Sequence, residues 1–223
     1  MDYQNLQIYH FNHDSVRLEG EGQVVYLDPY NLQENQLKLA DFIFITHKHF
    51  DHLSPNDIKK IMAARTVIIA PHECQSQLTG LRAKEIIYVA PNQELALAGL
   101  KVRIIPAYNI NKFRLPGIAY HPREDGEVGY VISFGQLAVY HAGDTDNILE
   151  MNQLKNIDIA FLPVSGTYVM SWQEAVEAAK IIKPKMVIPI HYGSVAGSRD
   201  DAENFQQAVL KEPELRDCRV EII

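Results

Sequence analysis

The chain carries a series of short runs that stay apolar for a strand's length and then stop on a polar side chain. They are residues 40–46 (ADFIFIT), 66–70 (TVIIA), 137–143 (LAVYHAG), 159–166 (IAFLPVSG) and 186–193 (MVIPIHYG). Such runs are too short for core helices and lack the alternation of a half-wet strand. They suit strands covered on both faces, which demands further layers on either side of a sheet. Around them, LQIYHF, SVRLEG and QVVYLD are rich in β-branched and aromatic residues and are separated by Asn-His-Asp and Gly-Glu-Gly breaks, the pattern of an antiparallel meander.

Helices are expected between the runs. SPNDIKKIMAA has Ser54 as an N-cap and Pro55 in the first turn, and PHECQSQLTG reads as a short helix closed by Gly80. IIYV and LKVRIIPAY read as strands, residues 109–127 as a long polar loop, and GYVISF with LAVYHAG as a hairpin. The last third alternates helix (DNILEMNQLKN), strand, helix (SWQEAVEAAKIIK), strand and helix (DDAENFQQAVLK), which favours α/β layers. Nothing in the 223 residues reads as a linker, so one domain over 1–223 is expected.

Composition excludes several classes. With 47% hydrophobic and 22% charged residues the chain is neither disordered nor collagen-like. Lys+Arg minus Asp+Glu is 21 − 28 = −7, a poor basis for wrapping nucleic acid. Two distant cysteines, Cys74 and Cys218, make no disulfide scaffold and point to a reducing cytoplasm. No leader pattern is visible, and no run reaches the roughly 18–20 apolar residues of a membrane span.

The chemistry concentrates at the ends of the apolar runs. ADFIFIT leads into His47-Lys48-His49-Phe50-Asp51-His52, three imidazoles and a carboxylate on a loop that a buried strand can hold firmly. On extended backbone His47 and His49 face one way, while Asp51 and His52 lie past a bend, a pattern that suits two adjacent metals better than one. Metal ligands must converge at about 2.0–2.2 Å from the ion. LAVYHAG ends at Gly143-Asp144, where a carboxylate can lie between two metals, and MVIPIHYG presents His191 at its edge. The competing readings are a solvated turn, a helix N-cap at Asp144 and a satisfied core histidine at His191.

The HxHxDH string, the Gly143-Asp144-Thr145 turn and the late His191 together resemble the metallo-β-lactamase-fold hydrolases, along nearly the whole chain. Length and the IPIHYG segment resemble most the small UlaG-like branch, which includes an L-ascorbate 6-phosphate lactonase. The resemblance implies a four-layer αβ/βα sandwich with metals at one edge. It implies His47 and His49 on a first metal, Asp51, His52 and His191 on a second, and Asp144 bridging, with Asp51, Asp144 and His191 closest to the chemistry. The family also expects a first-site histidine between these motifs. Residues 106–109 carry none, and His121, in the loop at 109–127, is assigned to that role.

Outside the ligands, Asp28, Thr46 and Thr145 are placed to orient ligand histidines. His141 reads as either a partner of the site or a packed strand residue. His13, Tyr168 and Tyr192 are candidates for contacting substrate, and Lys112, Arg114 and Arg123 hint at an anionic ligand. The expected cofactors are two divalent ions, zinc by the imidazole content, with manganese or iron also compatible with the carboxylates. The expected function is cytoplasmic hydrolysis of a small anionic ester, lactone or phosphodiester by metal-activated hydroxide. The alternatives are a nuclease or phospholipid-type phosphodiesterase, and a non-catalytic metal sensor. No nucleic-acid or membrane partner is expected, and oligomeric state is not readable.

Overall fold

The computed structural model describes residues 1–33 and 37–223. The first sheet runs in chain order through β1 (Asp2–Tyr3), β2 (Leu6–Asn12), β3 (Ser15–Gly20), β4 (Gln23–Leu27), β5 (Phe42–Phe44), β6 (Val67–Pro71) and β7 (Glu85–Val89). The second begins with β8 (Glu94–Leu97) and β9 (Leu100–Pro106). After a separate ribbon of β10 (Phe113–Leu115) and β11 (Ile118–Ala119), it continues through β12 (Val128–Phe134), β13 (Leu137–His141), β14 (Ile159–Pro163), β15 (Met186–Ile190) and β16 (Arg219–Val220).

The two sheets repeat one pairing plan. In the first, β1 to β4 pair antiparallel and β4 to β7 parallel. In the second, β8, β9, β12 and β13 pair antiparallel and β13 to β16 parallel. Equivalent connections therefore carry equivalent side chains. The link between second and third strands holds His13 in one sheet and His121 in the other, and the fourth strand is followed by Asp28 in one and by Gly143-Asp144 in the other. This relation between halves is topological, and no sequence repeat accompanies it.

Three apolar clusters fill the three spaces between four layers. Between the sheets lie Ile8, Leu18, Leu27, Phe44 and Ile69 from one and Ile104, Tyr130, Ile132, Phe161 and Ile188 from the other. The outer face of the first sheet packs Tyr26, Ile43 and Ile68 against Ile58 and Ile61 of α1 (Pro55–Ile61) and Leu78 of α2 (Gln75–Leu78). The outer face of the second packs Tyr140, Ala160 and Leu162 against α3 (Trp172–Ile182) and α4 (Arg199–Val209). This is the expected four-layer αβ/βα sandwich. Phe42 and Phe44 face one layer while Ile43 faces the other, which is why the run is apolar at successive positions.

Helix ends follow the sequence. Ser54 accepts the Asp57 N–H at 3.3 Å, and Ser171 and Glu174 form a reciprocal capping box at α3. The expected helix in DNILEMNQLKN is corrected to a 3₁₀ turn at Leu149–Gln153. The buried residues in and around it, Ile148, Met151, Leu154 and Ile157, recur every third position, the period of a 3₁₀ helix. The polar loop at 109–127 contains the β10–β11 ribbon, which sequence reading missed, as it missed β8 and β16. Cys74 and Cys218 are free and buried. Among the described residues no helix is long and apolar enough to cross a membrane.

Candidate metal centre

The ends of β4, β5, β13, β14 and β15, with the β2–β3 turn and the loop after β11, meet at one edge of the sandwich. The backbone from Thr46 to His49 places alternate side chains on opposite sides. His47 and His49 turn inward, while Lys48 turns away, its Nζ 2.8 Å from Glu73 Oε2. Gly143, at φ +63°, lets the end of β13 approach this loop, since a Cβ there would lie 2.9 Å from Thr46 Cβ.

Two groups of donor atoms result. His47 Nε2 lies 2.9 Å from His49 Nδ1, which lies 3.2 Å from His121 Nε2. Asp144 Oδ2 stands 3.4 Å from His121 Nε2 and 3.9 Å from His47 Nε2. Donors about 2.0–2.1 Å from a tetrahedral ion are separated by roughly 3.3–3.4 Å, so these four atoms have the spacing of one zinc-like shell. In the second group, Asp144 Oδ1 is 3.2 Å from His52 Nε2, and Asp144 Oδ2 is 3.2 Å from His191 Nε2. Asp51, His52 and His191, together with His13, offer donors within 4.8 Å of one another. Asp144 faces both groups. His52 Nε2, His191 Nε2 and Asp144 Oδ1 are buried without a hydrogen-bond partner. Buried polar atoms are rarely left so, and a shared cation satisfies them together.

The other ring nitrogens are held from behind. His52 Nδ1 is 2.8 Å from Asp28 Oδ2, His47 Nδ1 is 3.0 Å from Thr46 Oγ1, and His191 Nδ1 is 2.8 Å from Ser165 Oγ. Asp28 also accepts the Thr46 hydroxyl at 2.6 Å and its N–H at 2.8 Å. His13, Asp28 and His191 all adopt left-handed backbone, at φ +50°, +43° and +59°. Such conformations cost about 1–3 kcal/mol each and collect at functional sites.

Burial holds the imidazoles of His47 and His121 low, His121 at about 4, so both are neutral, the form in which they donate to a metal. Burial also disfavours charge on His52, but the carboxylates of Asp144, Asp28 and Asp14 outweigh it and hold its pKa well above the usual value. Burial opposes ionising Asp144 as well, yet His191 and His52 keep its pKa well below the carboxylate range. One group is neutral imidazole, and in the other an ionised Asp144 faces imidazoles whose pKa values it raises.

A cavity of about 210 Å³ opens onto the donors, walled by Phe50, Tyr120, Tyr168 and Val195. Tyr120 and Tyr168 meet edge to face with centroids 4.8 Å apart. Tyr168 thus lies where substrate contact was expected. His13 does not. It is fully buried beneath the donors, with its Nε2 3.1 Å from Asp51 Oδ2. Tyr192 lies outside the residues that line this cavity, its ring packing toward His10 and the α3–α4 side of the core. Lys112 is paired with Glu174 at 2.7 Å and Arg123 with Glu150 at 2.7 Å, so neither is free for an anion. Thr145 bonds to Tyr108 and Asp146, not to a ligand histidine. His141 is a packed strand residue that holds the Asp14 carbonyl at 2.9 Å.

Three residues escaped sequence reading. Ser165 sits one position before the Gly-Thr-Tyr segment that was noted, and only its place at a strand end marks it. Asn109 holds His121 in position through its side chain and backbone. Asp14 has both carboxylate oxygens buried beside the second group.

Two seven-stranded sheets under outer helices, with a histidine and aspartate cluster at their common edge, define the metallo-β-lactamase fold. The model of the β-lactamase superfamily domain matches residues 7–191, and the chain belongs to that superfamily. It is 31% identical over 208 residues to a UPF0173 metal-dependent hydrolase of Methanosphaerula palustris, covering 92% of this chain and 91% of the relative. A solved structure from Parabacteroides distasonis, assigned to the metal-dependent hydrolases, superposes with TM-score 0.83 and 34% identity over 97% of this chain and 92% of that one. Igni18, a metallo hydrolase of Ignicoccus hospitalis, shares the fold at TM-score 0.75 and 23% identity, over 98% of this chain and 94% of that one.

Proposed function

We propose that this protein is a dinuclear metal-dependent hydrolase of small esters or lactones bearing an apolar group. One observation carries the reading: buried donor atoms from both sheets converge, unpartnered, beneath a cavity large enough for a small molecule. The hydrolase names of the relatives support it. His47, His49 and His121 would hold one divalent ion, Asp51, His52 and His191 the other, and Asp144 both. Ions so held supply a nucleophile from water at neutral pH and a Lewis acid for the developing oxyanion.

The chain supplies the rest. Asp28, Thr46 and Ser165 fix the ring orientations of His52, His47 and His191. Among the described residues the cavity lining holds no serine or cysteine, so no side-chain nucleophile of those types competes there. Among those residues it also holds no lysine or arginine, which favours an uncharged, apolar group over a phosphate or a nucleic-acid backbone. Phe50, Tyr120, Tyr168 and Val195 are the surfaces that receive that group.

The test is metal content by mass spectrometry, followed by turnover of aryl esters, lactones and bis(p-nitrophenyl) phosphate with added Zn2+ or Mn2+. Two ions per chain and turnover of a neutral ester or lactone, abolished in Asp144→Asn, is the expected result. A loaded protein that turns over none of the panel overturns the reading.

A further inference from the structure

The second donor group holds a carboxylate that neither the motif nor the fold resemblance assigns. Asp14 follows His13 in the β2–β3 turn and is fully buried. Neither of its carboxylate oxygens has a hydrogen-bond partner. Its backbone carbonyl is held by His141, so the main chain at this residue is anchored while the carboxylate is free to face the cluster. Asp14 Oδ2 lies 3.4 Å from His52 Nε2, and Asp14, His52, Asp144 and His191 offer donor atoms within 4.8 Å of one another. The atoms it faces are themselves unpartnered: His52 Nε2, Asp144 Oδ1 and His191 Nε2.

Charge balance makes the same point. Asp14, Asp28 and Asp144 surround His52, all at 3% exposure or less. Burial, the largest influence on Asp14, raises its pKa, and the charged groups that act on it are His191, His52, Asp144 and Asp28, with no lysine or arginine among them. Asp28 is occupied by Thr46 and by His52 Nδ1. Asp51 already gives one oxygen to His13. An excess of buried carboxylate next to two free imidazole nitrogens is the composition of a cation site.

We infer that Asp14 is a ligand of the second cation site, which thereby combines Asp14, Asp51 and Asp144 with His52 and His191. This rests on the dinuclear reading above. A donor set so rich in oxygen accepts Mn2+ or Fe2+ as well as Zn2+, in contrast to the three imidazoles of the first site.

The experiment is calorimetric titration of chelator-treated wild type and Asp14→Asn with Zn2+ and, separately, Mn2+, alongside melting temperatures in EDTA. The expected result is one site at wild-type affinity in Asp14→Asn and the other weakened about tenfold or more. Its melting temperature in EDTA should equal or exceed that of wild type, because a buried carboxyl group with no hydrogen-bond partner has been replaced by a neutral amide. Asp14→Ser repeats the measurement with a smaller side chain should the amide fail to fold. Wild-type affinity at every site in a folded variant overturns the inference, as does a lower melting temperature in EDTA with metal affinity intact, which would mark Asp14 as structural. A wild type with a single site overturns the dinuclear reading, and Asp14 is then judged by whether its variants weaken that site. A wild type that binds no ion overturns both.

Discussion

Asn109 Oδ1 accepts the backbone N–H of His121 at 2.9 Å, and the Asn109 N–H donates to the His121 carbonyl at 2.8 Å. The Asn109 amide also donates to the Tyr168 carbonyl at 2.9 Å. The segment at 106–109, where a first-site histidine was expected, thus supplies the residue that positions His121, and the same amide ties the cavity wall to the donor cluster. Asn109→Ala is expected to weaken Zn2+ at the first site about tenfold, with the second site unchanged. Asn109→Asp, which keeps the acceptor, should retain most of the affinity. Titration of both variants checks this, and unchanged affinity in Asn109→Ala would mean that the loop holds His121 unaided.

Asp28 joins Thr46 and His52 through one carboxylate. Asp28→Ala removes three contacts from buried groups and should cost about 2–4 kcal/mol of unfolding free energy. Asp28→Asn separates stability from metal binding. Its amide can donate to His52 Nδ1, which moves the ring proton to Nε2 and blocks that nitrogen as a ligand. Denaturation is expected to show a small loss for Asp28→Asn, while metal titration shows a loss of about 10–100-fold. Equal losses of stability in the two variants would assign Asp28 a packing role only.

The sandwich was legible because continuous apolar runs demand cover on both faces, and Phe42, Ile43 and Phe44 receive it from two different clusters. The floor of the site was legible because four of its candidate donors, His47, His49, Asp51 and His52, fall within six residues of chain. What stayed hidden has physical causes. Ile148, Met151 and Leu154 have a period of three, which a short window confuses with the helical period. Asp14, Ser165 and Asn109 are single polar residues in turns, where such residues are common for purely local reasons. Tyr192 adjoins His191 in sequence and His13 lies in a turn that the fold brings to the site, but the side of the backbone each occupies goes with the left-handed conformations at His13 and His191.

The cavity wall predicts how substrate selectivity divides. Tyr168 and Tyr120 meet edge to face, and Phe50 is 65% exposed beside the donors. Loss of one aromatic contact is worth about 0.5–1.5 kcal/mol, or roughly a three- to tenfold rise in KM. Tyr168→Ala should therefore raise KM for an aryl ester by that factor and leave kcat nearly unchanged. Lys112→Met, which breaks a pair with Glu174 and not a contact to the donors, should not alter the preference between neutral and anionic esters. Steady-state kinetics on matched neutral and carboxylated substrates check both, and a selective loss of the anionic substrate in Lys112→Met would restore the case for an anionic ligand.

Glu127 gives the protein a pH dependence that lies outside the ligand set. Its side chain is buried, and burial, followed by the charges of Glu73, Asp144 and Asp125, pushes its pKa up to about 10. The folded chain therefore keeps the proton at neutral pH, whereas the unfolded chain releases it above the ordinary value of 4.5. Between these values the folded state binds more protons than the unfolded state, so stability falls as pH rises, with a slope of up to about 1.4 kcal/mol per pH unit from this group. The contribution is fully present below the unfolded value and lost as pH climbs through the folded one. Glu127→Gln removes the titration while keeping the shape. The variant should melt near wild type at pH 5 and progressively above it from pH 6 to pH 9, measured by thermal denaturation at constant ionic strength. A difference that stays flat across that range would show that Glu127 ionises in the folded protein as readily as in the unfolded chain.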